Sequence, residues 1–324
     1  MSKDVKKELI SAKNWILQNQ KNNGEILWDD KGKWDFWDHC ECLIALSIYK
    51  EWDAFRKGLD FCLSKVNEEG LVKSQYINGK VSQNYFEAHH APYIFLPLLQ
   101  KYLIDNDINY LFNYRSEIHQ IYKGTLKFKD ADGFYHWALD QNGLADDSLV
   151  TSSCSLELSR RAYNRICRLI QDEDLIDTDK IISETKLNSN KFDRGGIDRS
   201  RFSMDSYYPI LCNCGTKKDA IKTLNKFYVN GLGIKCVEEE PWVTFAESSE
   251  CIMALYKMGL KEEAKKIFDE VMKQKNTKGY FPTGYQYELD VYWPEENSTW
   301  TNAAVIMAAD CIYDISGKEK VILI

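Results

Sequence analysis

The chain has 324 residues, 44% of them hydrophobic and 13% aromatic, which is enough to bury a large core. Its 6 prolines and 17 glycines are few for that length, which excludes a sandwich or barrel of short strands and a disordered linker and predicts an all-helical protein. A formal charge of −7, with Lys and Arg scattered, excludes a nucleic-acid surface; no apolar run reaches the ~20 residues of a membrane span or has the outline of a signal peptide, so a soluble, cytoplasmic protein is expected.

In chain order, hydrophobic periodicity predicts helices over 4–20, 36–50, 53–66, 85–104, 107–129, 149–172, 176–192, 204–213, 217–229, 244–259, 261–275 and 299–315. The odd members are amphipathic, as in Lys261 to Met272, and read as surface helices; the even ones are apolar over most of their circumference, as in 91–100 and 302–312, and read as buried. Turns after the even helices are very short, whereas the odd helices are followed by long polar, aromatic segments at 21–35, 67–84, 130–148, 193–203, 230–243 and 276–298. Six hairpins of outer odd and inner even helices make an all-α (α/α)6 toroid, a single domain over 1–324, with its long loops above the N-termini of the inner helices. Cys42, Cys62, Cys154, Cys167, Cys251 and Cys311 fall on apolar helix faces and read as reduced core residues.

Several outer helices end in a glycine turn followed by an aromatic or apolar residue: Gly24 before Trp28, Gly70 before Leu71, Gly133 before Phe134 and Gly279 before Tyr280. The glycine is expected to act as a left-handed helix cap. These segments resemble the Gln-x-x-Asp-Gly-x-Trp repeats of terpenoid cyclases and protein prenyltransferases, and similar turns occur in the six-hairpin glycosidases. The stretch from Tyr292 through Trp293-Pro294-Glu295-Glu296 to Ser298-Thr299-Trp300 resembles the last inner hairpin of six-hairpin glycosidases.

The toroid puts the starts of the inner helices at one rim. The segment Trp34 to Glu41 enters the first of them, with Asp35 placed to cap it and Asp38 and Glu41 on one face. Candidate catalytic residues are Asp38, Asp205, Glu247 and Glu296; candidate substrate-binding residues are Trp34, Trp37, Glu41, His90, Arg201, Tyr207, Tyr208, Trp242, Glu250, Trp293 and Trp300. Carboxylates hydrogen-bond hydroxyls and aromatic faces stack on sugar rings, so this rim suits a polyhydroxylated ligand. The first inner helix opposes the fourth, so Asp38 and Glu41 are expected to face Asp205; the second opposes the fifth, so Glu87 is expected to face Glu247 and Glu250. Against a site stands capping alone, since acidic residues in a first turn are favoured by the helix dipole. His89 and His90 with Glu87 are not expected to bind a metal, because adjacent histidines on a helix diverge; no metal and no cofactor are expected.

A glycoside hydrolase with paired carboxylates is the expected function: Glu247 or Glu296 as general acid, Asp38 or Asp205 as the base that activates water, and a sugar or glycoside as substrate. The alternatives are an isoprenoid enzyme, for which the aspartate-rich run and the zinc ligands of those families are missing, and a non-catalytic glycan-binding toroid.

Overall fold

The structure, a computed structural model, describes residues 2–324. Helices α1 (Ser2–Glu8) and α2 (Ile10–Gln18) form the first outer rod and lead into the inner helix α3 (Phe36–Ile48). Then α4 (Trp52–Lys65) leads to inner α5 (Phe95–Asp105), and α6 (Ile108–Asn113) with α7 (Arg115–Thr125) leads to inner α8 (Val150–Leu169). A short α9 (Glu184–Leu187) precedes inner α10 (Ser203–Leu211), α11 (Lys217–Phe227) precedes α12 (Phe245–Lys257), and α13 (Lys261–Val271) precedes α14 (Thr299–Tyr313). The inner helices pack in sequence, α3 on α5, then α8, α10, α12 and α14, and α14 returns onto α3 to close the ring. This is the (α/α)6 toroid expected from the sequence. Its driving force is the all-round apolarity of the inner helices: Leu43, Leu46, Ile252 and Ile306 are wholly buried, each worth about 1.5–3 kcal/mol over exposure.

Two predicted helices are absent as such. The segment 176–192 is coil with the single α-turn of α9 and a 3-10 turn at Asn190–Phe192, because side chains of α8 take its backbone hydrogen bonds. The Asp177 carbonyl accepts from Arg160 and Asn164, and the Ile181 N–H donates to Glu157 Oε2. The fourth hairpin therefore has no full outer helix. The start of 85–104 is strand rather than helix, and only Phe95–Asp105 continues as α-helix.

The long loops lie over the inner N-termini, as expected, but they are not plain coil. Strands β1 (Lys33–Trp34), β2 (Lys73–Ile77), β3 (Lys80–Glu87), β4 (Ala138–Asp140) and β5 (Gly143–Leu144) form one 5-stranded antiparallel sheet. Strands β6 (Tyr228–Val229), β7 (Gly233–Lys235), β8 (Trp242–Thr244), β9 (Gly284–Gln286) and β10 (Val291–Tyr292) form a second. The β2–β3 hairpin turns at Asn78-Gly79, both at positive φ (50° and 76°), the residue pair that a tight primed turn favours. The ten cysteines are free, and among the described residues no helix is long and apolar enough to cross a membrane.

The repeated glycines do take positive φ, 96° at Gly24, 79° at Gly70, 81° at Gly133 and 86° at Gly279, but each closes a separate turn beyond its helix rather than capping it. In each turn the glycine N–H bonds back three residues, from Gly70 to the Asn67 carbonyl for example. A Cβ on Gly70 would stand 2.2 Å from the Gln120 carbonyl oxygen, whereas one on Gly79 meets nothing within 4 Å. Gly70→Ala is therefore expected to cost about 2 kcal/mol or more in calorimetric unfolding, and Gly79→Ala about 1 kcal/mol from backbone strain alone.

Candidate active site

A cavity of about 520 Å³ opens at the N-terminal end of the inner ring. Helix α3 supplies Trp37 and Asp38, with Asp35 just before it; the β2–β3 hairpin supplies Ser74, Gln75, Gln83, Tyr85 and, at its end, Glu87; the turn after β3 supplies His89 and His90. The opposite wall is the first turn of α8 with Thr151, the coil carrying Phe192, Arg194 and Arg199, and Asp205 from α10. Asp38 and Asp205 thus share one cavity from the first and fourth inner helices, as the ring geometry requires.

Asp35 is the N-cap of α3, its Oδ1 accepting the Asp38 N–H at 2.9 Å. The two carboxyl groups also hydrogen-bond each other, so their titration is joined. Burial and the Asp35 charge push Asp38 well above the usual carboxylate range. Asp35 is held below it: burial opposes this, but the hydrogen bond from Asp38 and the charges of Lys33 and His90 outweigh it. The two shifts run in opposite directions, which favours Asp38 over Asp35 as the protonated member of the pair. Asp205 accepts from the Thr151 N–H at 3.1 Å and hydroxyl at 2.6 Å. Burial raises its pKa, and the Thr151 bonds with Arg199 and Arg194 oppose the rise.

Beneath the cavity floor lies a second carboxyl pair. Glu41 and Glu250, each 1% exposed, share a hydrogen bond at the ring centre. Tyr93 and Trp37 donate to Glu41 Oε1 at 3.0 and 3.2 Å, and Tyr207 and Tyr208 donate to the two Glu250 oxygens at 2.5 and 2.8 Å. Burial pushes Glu41 up to about 7, and burial together with the Glu41 charge pushes Glu250 well above its usual value. Glu41 thus meets Glu250 rather than Asp205, because it lies one helical turn deeper than Asp38.

The other expected residues are dispersed. Glu247 is buried behind Cys236, to which it hydrogen-bonds, and its Oε2 has no protein partner. Glu296 does not line this cavity; it accepts from Trp28 Nε1 at 2.9 Å and lies 3.8 Å from Lys31. Trp34 is a core residue, not a rim platform: strand β1 turns it inward against Phe36, Phe61 and Tyr76, and its indole donates to His39 at 2.8 Å. Tyr207 and Tyr208 are fully buried and serve Glu250, so they are not sugar contacts either. Arg201 faces outward and pairs with Glu239. Trp242 packs on Trp293 at 5.0 Å, and Trp300 lies 5.6 Å from Trp28, none of these lining the cavity. Trp37 and His90 are in the wall as expected.

Sequence reasoning named Asp35 only as a cap and missed Lys33, Ser74, Gln75, Gln83, Arg194 and Cys236. The signal for the hairpin residues was Asn78-Gly79 between Ile77 and Lys80. The divergence expected of His89 and His90 also fails, since they sit in a turn and not on a helix: with Glu87 they bring ligand-type atoms within 4.8 Å of one another.

No protein-family model matches the chain. It is 27% identical over 304 residues to the MMP endo-(1,4)-3-O-methyl-alpha-D-mannosidase of Mycolicibacterium hassiacum, covering 92% of this chain and 84% of that one. Its fold is similar to that of a D-mannose isomerase (TM-score 0.70, 7% identity, 97% of this chain and 98% of the other). It is also similar to a novel alpha-amylase from Clostridium perfringens (TM-score 0.66, 12% identity, 94% and 97%). Cellobiose 2-epimerase from Bacillus thermoamylovorans has the same fold (TM-score 0.60, 13% identity, 97% and 99%). These solved structures belong to the six-hairpin, glycosidase-like toroids, which fixes the architecture.

The Glu41–Glu250 pair gives a pH dependence with a definite sign. Because Glu41 titrates near 7 when folded and near 4.5 when unfolded, the folded state holds more protons in between, and stability falls as pH rises through that window. Glu41→Gln is expected to flatten the decline of melting temperature between pH 5 and about 8 and to raise it by a few degrees at the upper end; an unchanged slope would show that the pair is not shared-proton in solution.

Proposed function

We propose that the protein is a glycoside hydrolase acting on a mannose-containing oligosaccharide, with Asp38 as proton donor and Asp205 as proton acceptor. The observation that carries this is the Asp35–Asp38 pair: a carboxyl kept protonated by burial and by a charged neighbour, at the wall of an open cavity that Asp205 also lines. Asp38 delivers its proton to the glycosidic oxygen as the bond to the anomeric carbon breaks. Asp205, whose buried carboxyl accepts two hydrogen bonds from Thr151 and whose raised pKa suits a base, removes a proton from the water that attacks that carbon. The helix relationship supports these roles, since donors and acceptors on opposed inner helices leave room for sugar and water between them. This differs from the sequence expectation of Glu247 or Glu296 as acid, because Glu247 lies behind Cys236 and Glu296 outside this cavity.

The mannose part of the proposal rests on the relative that covers most of the chain. The polar wall supports a sugar over an isoprenoid, as Gln75, Gln83, His90 and Arg199 offer hydroxyls partners that a hydrocarbon chain would leave unpaired.

Two measurements test the roles. Asp38→Asn and Asp205→Asn are each expected to lower kcat on an α-mannan oligosaccharide by about 10³-fold or more, with the dissociation constant for the same oligosaccharide nearly unchanged. An aryl mannoside, whose leaving group needs no proton, should recover much of the loss in Asp38→Asn and none in Asp205→Asn; turnover retained in both variants would end the assignment. Lys33 holds the Asp38 carboxyl down, so Lys33→Gln is expected to move the alkaline limb of kcat/KM upward, since the donor then keeps its proton to higher pH.

A further inference from the structure

Glu87, His89 and His90 line the same cavity, and none of them gives or takes a proton in the chemistry above. Glu87 Oε2 lies 3.9 Å from His89 Nε2 and 3.6 Å from His90 Nε2. These separations are too long for hydrogen bonds, which end near ~3.2 Å for N–H···O. They approach the ~3.3–3.6 Å edges of a coordination tetrahedron built on bonds of about 2.0–2.2 Å, and all three ligand atoms lie within 4.8 Å of one another, so side-chain rotation toward a common centre would seat an ion.

The three groups are also held and chemically suited. Glu87 Oε1 accepts from the Ser74 hydroxyl at 2.5 Å, leaving Oε2 to face the imidazoles. The edge of His89 is fixed against Trp37, ring centroids 4.7 Å apart. His89 and His90 are 3% and 5% exposed, yet among the described residues neither Nδ1 has a hydrogen-bond partner. It is the Nε2 edges of the two rings that face Glu87, so Nε2 is the ligand atom each imidazole would offer.

We infer that Glu87, His89 and His90 bind one divalent transition-metal ion of the zinc class, with its remaining position open to the cavity. Two imidazoles and a carboxylate with an open position are a donor set that zinc accepts. A sugar hydroxyl is the chemistry that would fill the open position, which makes the ion a substrate-holding group rather than the acid or base. Ion binding itself is a property of the resting protein, so it stands or falls separately from the hydrolase reading.

Titration of metal-stripped protein with cobalt(II) tests it. One equivalent is expected to give the visible absorption of four-coordinate cobalt without the near-ultraviolet thiolate band that cysteine ligands would produce, and zinc(II) should displace it. Glu87→Gln and His90→Ala are each expected to weaken binding by at least about 100-fold, and Ser74→Ala, which only loosens Glu87, by about 10-fold. Ser74→Ala keeps the test decisive if the larger changes fail to fold. No stoichiometric binding, a thiolate band, or an affinity that none of the three variants moves would overturn the inference.

Discussion

Six inner helices that begin at one mouth each leave N–H groups without an intrahelical acceptor, and buried donors of that kind must be satisfied. The structure meets this requirement partly with the carboxylates of the cavity. Asp35 caps its own helix through Asp38, Asp205 reaches from α10 to the first turn of α8 through Thr151, and Ser298 caps α14 through Thr301. Capping and chemistry are therefore not competing explanations here. The bond that completes a helix end also fixes a carboxylate at the cavity wall, and it does so in a place where burial alters the proton affinity of the group.

The same economy explains the floor. Two glutamates at the centre of an apolar ring are costly when charged, and the ring answers with three tyrosine hydroxyls, one indole and a shared proton. Trp37 links the two levels. Its indole N–H is tied to Glu41 below while its ring meets His89 at the wall, so one side chain touches both the buried pair and the cavity above.

Much of the fold was legible because it rests on composition averaged over whole helices. The contrast between the charged face of Lys261–Val271 and the all-apolar run of α14 separates outer from inner, and the alternation of loop lengths does the rest. The opposition of Asp38 and Asp205 then follows from counting hairpins. What sequence did not show was decided by partners distant in the chain. Ile181 and Ile182 have helix-like neighbours, but Glu157, Arg160 and Asn164 offer the backbone better-placed partners. Trp34 and Trp37 look alike in the sequence, yet one is in the core and the other at the wall, because Trp34 lies in strand β1 and Trp37 in the first turn of α3. The hairpin was the avoidable miss: Asn78-Gly79 announced it, and the apolar spacing of 85–104 was allowed to outweigh that local signal.

The fourth hairpin, whose outer side is coil fastened by side chains of α8, leads straight into the stretch that places Phe192, Arg194 and Arg199 at the cavity. Residues 193–201 are thus exempt from the length and periodicity that ring packing imposes on an outer helix, while Phe192 beside them is anchored in the core. Insertions, deletions and exchanges of side chain can accumulate there while α8 and α10 keep their contact. The barrel's durability and its taste in ligands are consequently written in separate parts of the chain, and selection can revise the second without endangering the first.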